Sequence, residues 1–128
     1  MRNVDFRSVD FGKVASSTVS LAFNKRLYKM FFVTLSKIHI KLIGLRGLIG
    51  QFEASTAHIT LDRLHMIKAP TLVIIVTEDK LVPLHSSEVI ANRIPNAKLV
   101  KVEGGSHSIF IEIRGRFNKE VLDFLRGS

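Results

Sequence analysis

The spacing of apolar residues divides the chain into two parts. Between Leu21 and about Ile49 the apolar positions recur at steps of three and four, with basic residues falling largely between them. This spacing predicts an amphipathic basic helix, either one long helix or two shorter ones. Three glycines weaken the second part of the pattern and predict a break there. The apolar positions are Phe23, Leu27, Phe31, Leu35, Ile38, Leu42, Leu45 and Ile49, and the glycines are Gly44, Gly47 and Gly50.

The segments beside this helical pattern are less regular. Four hydroxyl residues, Ser16, Ser17, Thr18 and Ser20, could cap the start of a helix. A short helix is predicted around Phe52 to Ala57, followed by a turn.

The second part of the chain is patterned around the apolar run Thr71 to Val76. Pro70 ends what precedes it, since the residue before a proline is pushed out of the helical region. The run has no polar alternation and is β-branched except at Leu72, which predicts a strand buried on both faces, as in a helix-covered parallel sheet. A turn of buried helix is the alternative, but the shortness and β-branching of the run argue against it.

A helix, a second strand and a final helix are predicted after this run. Ser86 or Ser87 can cap a helix from about Glu88 to Arg93, and Ala97 to Val102 is the second strand. Glu103 to His107, with paired glycines, is a loop. Ile109 to Ile113 is ambiguous, and an amphipathic helix from Phe117 to Leu125 follows. This order predicts a parallel β-α-β-α unit with a right-handed crossover.

Charge is concentrated in the first half of the chain. The 128 residues carry a net charge of +8 with 46% hydrophobic content, which is ordinary for a globular domain. Residues 1–60 hold nine Lys/Arg against three Asp/Glu, and residues 61–128 hold ten against eight. Such an excess of positive charge could favour binding to nucleic acid or to anionic lipid, although a solvated basic face is the simpler interpretation. No nucleic-acid motif is present, so we do not expect a nucleic-acid partner.

Several classes of site and location are excluded or disfavoured. The chain has no cysteine, which excludes disulfides, a thiolate nucleophile and cysteine metal sites. Its histidines lack metal-ligand spacing, so no metal site is predicted. The N-terminus lacks the apolar region of a secretory signal, and no apolar run has the length of a membrane span, so we expect a cytoplasmic protein.

Two candidate catalytic residues, Asp79 and His107, stand in loops after the predicted strands. Ligand sites in open parallel sheets lie beyond the carboxyl ends of strands. A carboxylate can accept the Nδ1 proton of an imidazole, and the histidine can then act as a general base or acid. The alternatives are a turn-forming aspartate and an ordinary loop histidine.

Four segments carry a family resemblance, and together they cover about half of the chain. They are LDRLHMIKAPTLVI, TEDKLVP, SSEVIANRIPNAKLVKVEGGSHSIFIE and RFNKEVLDFL. They resemble the C-terminal part of α/β-hydrolase-fold proteins of the esterase, lactonase and peptidase-like group, whose triads follow the order serine, acid, histidine. The resemblance implies that Asp79 is the triad acid, that His107 is the triad histidine, and that no cofactor is needed. It also implies that the Leu21–Ile49 region is what remains of a cap over the acyl pocket.

The nucleophile of that family has no counterpart here. No serine has the G-x-S-x-G context of the nucleophile elbow. Ser106 and Ser108 flank His107, and adjacent side chains seldom present the hydrogen bond that a nucleophile needs. The sequence therefore predicts a partial α/β-hydrolase fold, with a helical cap-like region over residues 1–60 and an α/β unit over residues 61–128.

The predicted function is that of an acyl (carboxylic ester) hydrolase relative which keeps the acid and histidine and is inactive alone. A half-sheet leaves an open edge, so we expect a homodimer or a complementary chain to cover it, with an acyl or ester compound as the small-molecule ligand. Two alternatives differ in class. One is a non-enzymatic module that binds an anionic membrane or a partner through the basic helix, and the other is a hydrolase with an unusual nucleophile.

Overall fold

The computed structural model describes residues 10–127 and confirms the predicted α/β class. Helices and strands follow one another as α1 Phe11–Ala22, α2 Arg26–Ala57, β1 Thr71–Val76, α3 Leu84–Arg93, β2 Ala97–Val102, α4 Ile109–Glu112 and α5 Arg114–Gly127. A 3₁₀-helical turn, Leu64–Met66, lies between α2 and β1. The first two helices form the N-terminal region, and the strands with α3 to α5 form the parallel unit.

Helix α1 begins earlier than the hydroxyl cluster suggested. Its N-cap is Asp10, whose carboxylate accepts a hydrogen bond of 3.0 Å from the Lys13 amide. The prediction that the hydroxyl cluster caps a helix was wrong, because those residues lie inside α1. Ser16 and Thr18 instead donate to the carbonyls of Gly12 and Val14, one turn back.

Helix α2 is one continuous helix of 32 residues, about 48 Å long. The predicted break at the three glycines was wrong, and the short helix predicted at Phe52 to Ala57 is the end of α2. A helical glycine costs only about 1 kcal/mol relative to alanine and keeps its backbone N–H. With no proline in the segment, the helical hydrogen bonds continue through it.

The two strands pair in parallel with the bounds predicted from the sequence. Thr71 lies opposite Ala97, and Val76 lies opposite Val102. Helix α3 forms the crossover and starts at Leu84, directly after Pro83. Ser86 and Ser87 are therefore inside the helix, and the prediction that one of them caps it was wrong.

The core lies under the carboxyl ends of the strands. Val76, Val102 and Ile109 are buried together, and four partly buried side chains pack on them: Ile74, Val100, Ile113 and Phe117. The segment Ile109 to Ile113, which the sequence left open, contains the short helix α4.

The junction of α1 and α2 is also buried, whereas the outer face of α2 is not. Phe23 is 5% exposed and stacks on Phe32 with ring centroids 4.6 Å apart. An exposed set of apolar side chains, here called the α2 stripe, runs along the helix: Leu27, Met30, Phe31, Leu35, Ile38 and Leu42. Within residues 10–127, no helix has the length and apolar content that crossing a membrane requires.

Candidate active site

Asp79 is held at the carboxyl end of β1 by the backbone that follows it. Its Oδ1 accepts hydrogen bonds from the amides of Leu81, at 2.8 Å, and Val82, at 3.0 Å. Partial burial tends to raise the pKa of Asp79, but the bonds from Val82, Leu81 and His107 outweigh it, and the pKa lies below its ordinary value of 3.8. The carboxylate is therefore ionised and fixed in orientation near neutral pH.

His107 meets the other oxygen of this carboxylate. Its Nδ1 lies 3.0 Å from Asp79 Oδ2, and the side chain of Asp79 is 13% exposed against 45% for His107. An ionised carboxylate can only accept, so Nδ1 carries the proton and the lone pair of the neutral ring is at Nε2. The structure thus brings together the two residues singled out from the sequence, with the geometry that the acid–histidine half of a triad requires.

A double-glycine turn directs the chain from β2 to His107. Gly104 and Gly105 have φ of +70° and +75°, a region that residues with a side chain rarely adopt. A Cβ added at Gly105 would stand 3.0 Å from Ile113 Cδ1 and 3.3 Å from Val76 Cγ1. The turn therefore needs glycine here both for its backbone angle and for its close packing.

The residue before the histidine, Ser106, is fully buried and anchors the loop. Its hydroxyl lies 2.7 Å from the Ala22 carbonyl oxygen and 2.6 Å from Glu112 Oε2, so its proton is shared between two acceptors. The amide of Ser108 donates to the Ala22 carbonyl at 3.1 Å. The loop that carries His107 is consequently bound on both sides to the end of α1.

Glu112 completes this anchor from α4. It is 6% exposed, and its Oε1 accepts the amides of Asn24, at 2.8 Å, and Lys25, at 2.7 Å, where α2 begins. The Lys25 ammonium donates to the Glu112 carbonyl at 2.7 Å. A carboxylate placed at a helix N-terminus is also favoured by the helix dipole. Glu112 therefore ties the helical region to the histidine loop.

A pocket of about 200 Å³ lies beside the acid–histidine pair. Asp79, His107 and Ser87 line it together with six apolar residues: Ile74, Ile75, Val76, Val82, Leu84 and Ile109. Neither α1 nor α2 contributes a lining residue in the part of the chain that the structure describes, so the cap over the pocket remains a prediction.

The serines of the chain differ in their relation to this pocket. Ser106 and Ser108 are buried, and Ser86 is exposed and does not line it. Ser87 is the pocket serine among residues 10–127, but no hydrogen bond joins it to His107. No cluster of three metal-ligating side chains occurs within the same residues.

Comparison with known families assigns the fold. The family model of the alpha/beta hydrolase fold matches residues 13–112, which is most of the chain. The chain belongs to the α/β-hydrolase fold family.

Individual relatives and structures agree with that assignment and are longer than this chain. The chain is 31% identical over 81 residues to “Putative carbamate hydrolase RutD” of Azorhizobium caulinodans, a match spanning 63% of this chain and 31% of the relative. Over 66 residues it is 41% identical to the protein of the same name from a Caulobacter species, spanning 52% of this chain and 25% of that one. An esterase from Exiguobacterium antarcticum superposes with a TM-score of 0.76 at 20% identity, covering 91% of this chain and 43% of the esterase.

The structural roles of Glu112 and Ser106, which anchor the loop of His107, were not predicted from the sequence. The partners of Glu112 at the start of α2 lie 87 and 88 residues away in the chain. The one available signal was a carboxylate inside the apolar segment Ile109 to Ile113, where an acid needs hydrogen-bond partners if it is buried.

Proposed function

We propose that this chain supplies the acid and the histidine of an acyl hydrolase acting on esters or related acyl compounds such as carbamates, with its nucleophile coming from outside these 128 residues. The observation that carries the proposal is the 3.0 Å contact between Asp79 and His107 at the edge of an apolar pocket. The esterase and carbamate hydrolase names of the relatives support the substrate class.

The chemistry assigned to each residue follows from its geometry. Asp79 holds the proton on Nδ1 of His107, so that Nε2 can take the proton of a hydroxyl as it attacks the acyl carbon. The imidazolium that forms is stabilised by the adjacent carboxylate and then gives its proton to the leaving group. The apolar wall of the pocket suits the acyl part of the substrate.

Among residues 10–127, no serine hydroxyl is hydrogen-bonded to His107 as this scheme needs. A nucleophile has to sit within hydrogen-bond reach of the base, and Ser87 lines the pocket without such a bond. Ser87 is also inside α3, one turn past its start, and no strained turn exposes its hydroxyl as a nucleophile elbow does. The purified chain alone is therefore expected to be inactive.

Labelling with a fluorophosphonate tests the proposal directly. We expect no labelling of the chain alone. When the chain is co-expressed with the part of the Exiguobacterium antarcticum esterase that this chain does not cover, we expect a serine of that esterase part to be labelled. His107→Ala should lower that labelling about 10²-fold or more, the usual contribution of a general base, and Ser86→Ala, which changes an exposed serine outside the pocket, should leave it unchanged. Labelling of the chain alone that disappears in Ser87→Ala would show instead that the chain holds its own nucleophile.

The α2 stripe supports a second candidate function, binding to an anionic membrane surface. In the sequence, five basic residues and no acidic residue occur from Arg26 to Gly50, the segment that carries the α2 stripe: Arg26, Lys29, Lys37, Lys41 and Arg46. An amphipathic basic helix of this composition can lie in a lipid interface. Co-sedimentation with vesicles containing phosphatidylserine, weakening as salt is added, would support this function. Equal sedimentation with and without vesicles at low salt would exclude it.

A further inference from the structure

The loops that carry Asp79 and His107 are joined to each other mainly by side chains. Among the described residues, the last backbone hydrogen bond between the two strands runs from the Thr77 amide to the Val102 carbonyl, at 3.1 Å. The Thr77 hydroxyl then accepts a bond of 2.9 Å from the Gly104 amide, which holds the first residue of the double-glycine turn. Beyond this bond, the spacing of the two loops depends on other side chains.

Asn24 joins the two loops from the junction of α1 and α2. Its Nδ2 donates to Glu78 Oε2 at 3.0 Å and to the Gly105 carbonyl at 3.1 Å. Glu78 directly precedes Asp79, and Gly105 lies two residues before His107. One side chain therefore contacts both of the loops that hold the acid–histidine pair.

The chemistry of these two partners requires a donor at this position. A carboxylate oxygen and a backbone carbonyl oxygen accept hydrogen bonds and have no proton to give. The side-chain NH2 of asparagine carries two N–H donors, which is one for each acceptor. Aspartate has the same shape as asparagine, but it would place an oxygen against two oxygens and would be repelled by both.

The backbone of Asn24 is held independently of its side chain. Its amide donates to Glu112 Oε1 at 2.8 Å. The preceding residue, Phe23, is buried and stacks on Phe32. A polar side chain on a backbone that packing and hydrogen bonds already fix can orient the groups that it contacts.

We propose that Asn24 is a positioning residue for the acid–histidine pair, because its side-chain amide sets the spacing between the loop of Asp79 and the loop of His107. Without this amide, each loop keeps the bonds within its own segment but loses a connection to the other. The side chain of His107 is 45% exposed, so water competes for its bond to Asp79 once the loops separate. The effect of Asn24 on turnover rests on the proposed function, whereas its effect on the geometry of the pair can be measured on this chain alone.

Nitrogen-15 NMR of the histidine rings tests the proposal. A proton that Asp79 holds on Nδ1 separates the chemical shifts of the two ring nitrogens, whereas a neutral ring without that partner exchanges between tautomers and averages them. At alkaline pH, where the ring is neutral, we expect Asn24→Asp to shrink the separation for His107 at least about twofold. Asn24→Ala, which removes the donors without adding a charge, should shrink it as well. His107→Ala identifies the signals of this ring among those of the five histidines.

Asn96→Asp is the matched control. Asn96 Nδ2 also donates to a backbone carbonyl, that of Lys68 at 3.2 Å, but it directly precedes β2 and lies at the opposite end of the strands from the pair. This variant loses a bond of the same kind, and we expect it to leave the shift separation for His107 unchanged. An unchanged separation in Asn24→Asp, or equal changes in Asn24→Asp and Asn96→Asp, would overturn the proposal.

Exchange of side-chain amide protons in the unaltered chain makes the test independent of whether the variants fold. The Nδ2 protons of Asn24 should exchange at least about tenfold more slowly than those of Asn118, an exposed asparagine on α5. Equal exchange at the two residues would overturn the proposal. If the co-expressed esterase part is not labelled by the fluorophosphonate even with the unaltered chain, the proposed function fails, and a reduced shift separation in Asn24→Asp would still support the positioning role of Asn24.

Discussion

Glu112 holds three polar contacts at once, so its removal should be strongly destabilising. Its Oε1 accepts two amides at the start of α2, and its Oε2 lies 2.6 Å from the fully buried Ser106 hydroxyl. In Glu112→Ala these three contacts disappear together. The amides of Asn24 and Lys25 then lose their acceptor, and the loop before His107 loses one of its two anchors.

The expected loss follows from the energy of hydrogen bonds to a charged group. Each is worth about 1.5–3 kcal/mol, and neighbouring bonds do not add fully. We therefore expect Glu112→Ala to lower the free energy of unfolding by about 3–5 kcal/mol. That is a large fraction of the roughly 5–15 kcal/mol available to a domain.

Urea denaturation followed by circular dichroism measures this change, with two variants for comparison. Glu112→Gln keeps a carbonyl oxygen for the two amides and should lose about 1–2 kcal/mol. Glu120→Ala removes an acid on α5 that pairs with Arg116 at 2.8 Å, and an i,i+4 pair of this kind is worth about 0.5 kcal/mol. If Glu112→Ala costs no more than Glu120→Ala, the anchor is not a stabilising contact and the reasoning fails.

Two further predictions concern the loops that hold the pair. Because the pKa of Asp79 is lowered by folding, its contribution to stability is present above the ordinary value of 3.8 and is lost as the pH falls through the lowered pKa. The difference in unfolding free energy between the unaltered chain and Asp79→Asn should therefore shrink on acidification below about pH 4, and a difference that stays constant in chemical denaturation would contradict this. Gly105→Ala forces a side chain onto a φ of +75° and into contacts of 3.0 and 3.3 Å, so it should cost about 1–3 kcal/mol. Thermal melts of Gly105→Ala and of Gly115→Ala in α5 measure this cost, and Gly115→Ala should be neutral or slightly stabilising because an added Cβ meets nothing there. Equal losses of stability in the two variants would disprove the steric account.

The sequence predicted the strands and the proximity of the pair because both depend on local patterns. Thr71 to Val76 follows a proline and is almost wholly β-branched, and the second strand follows Pro95 and a turn. Once two strands are parallel, the residues after them meet at one edge of the sheet. Asp79 and His107 both follow predicted strands, and the resemblance to the α/β-hydrolase family added the expectation that they form an acid–histidine pair.

The features that the sequence did not predict have two causes, which are close competition between local signals and contacts between distant segments. The continuity of α2 through its glycines is decided by unbroken backbone hydrogen bonds, which a propensity scale weighs only on average. The N-cap at Asp10 competes with several hydroxyl residues that are equally good capping types. The contacts of Glu112 join residues more than 80 positions apart, and no periodicity marks them.

The acid–histidine pair is oriented by contacts that lie within this chain. The amides after β1 fix Asp79, and the loop of His107 is fixed by Ser106, Glu112 and the end of α1. Under the proposed function, the segment that brings the nucleophile would therefore have to supply donors for the oxyanion as well, but it would not have to orient the histidine. Because the contacts that orient the pair lie within this chain, its geometry does not depend on a recognisable nucleophile in the same chain. The geometry of the pair is accordingly set by contacts of this chain itself, and under the proposed function turnover depends on the nucleophile that reaches His107.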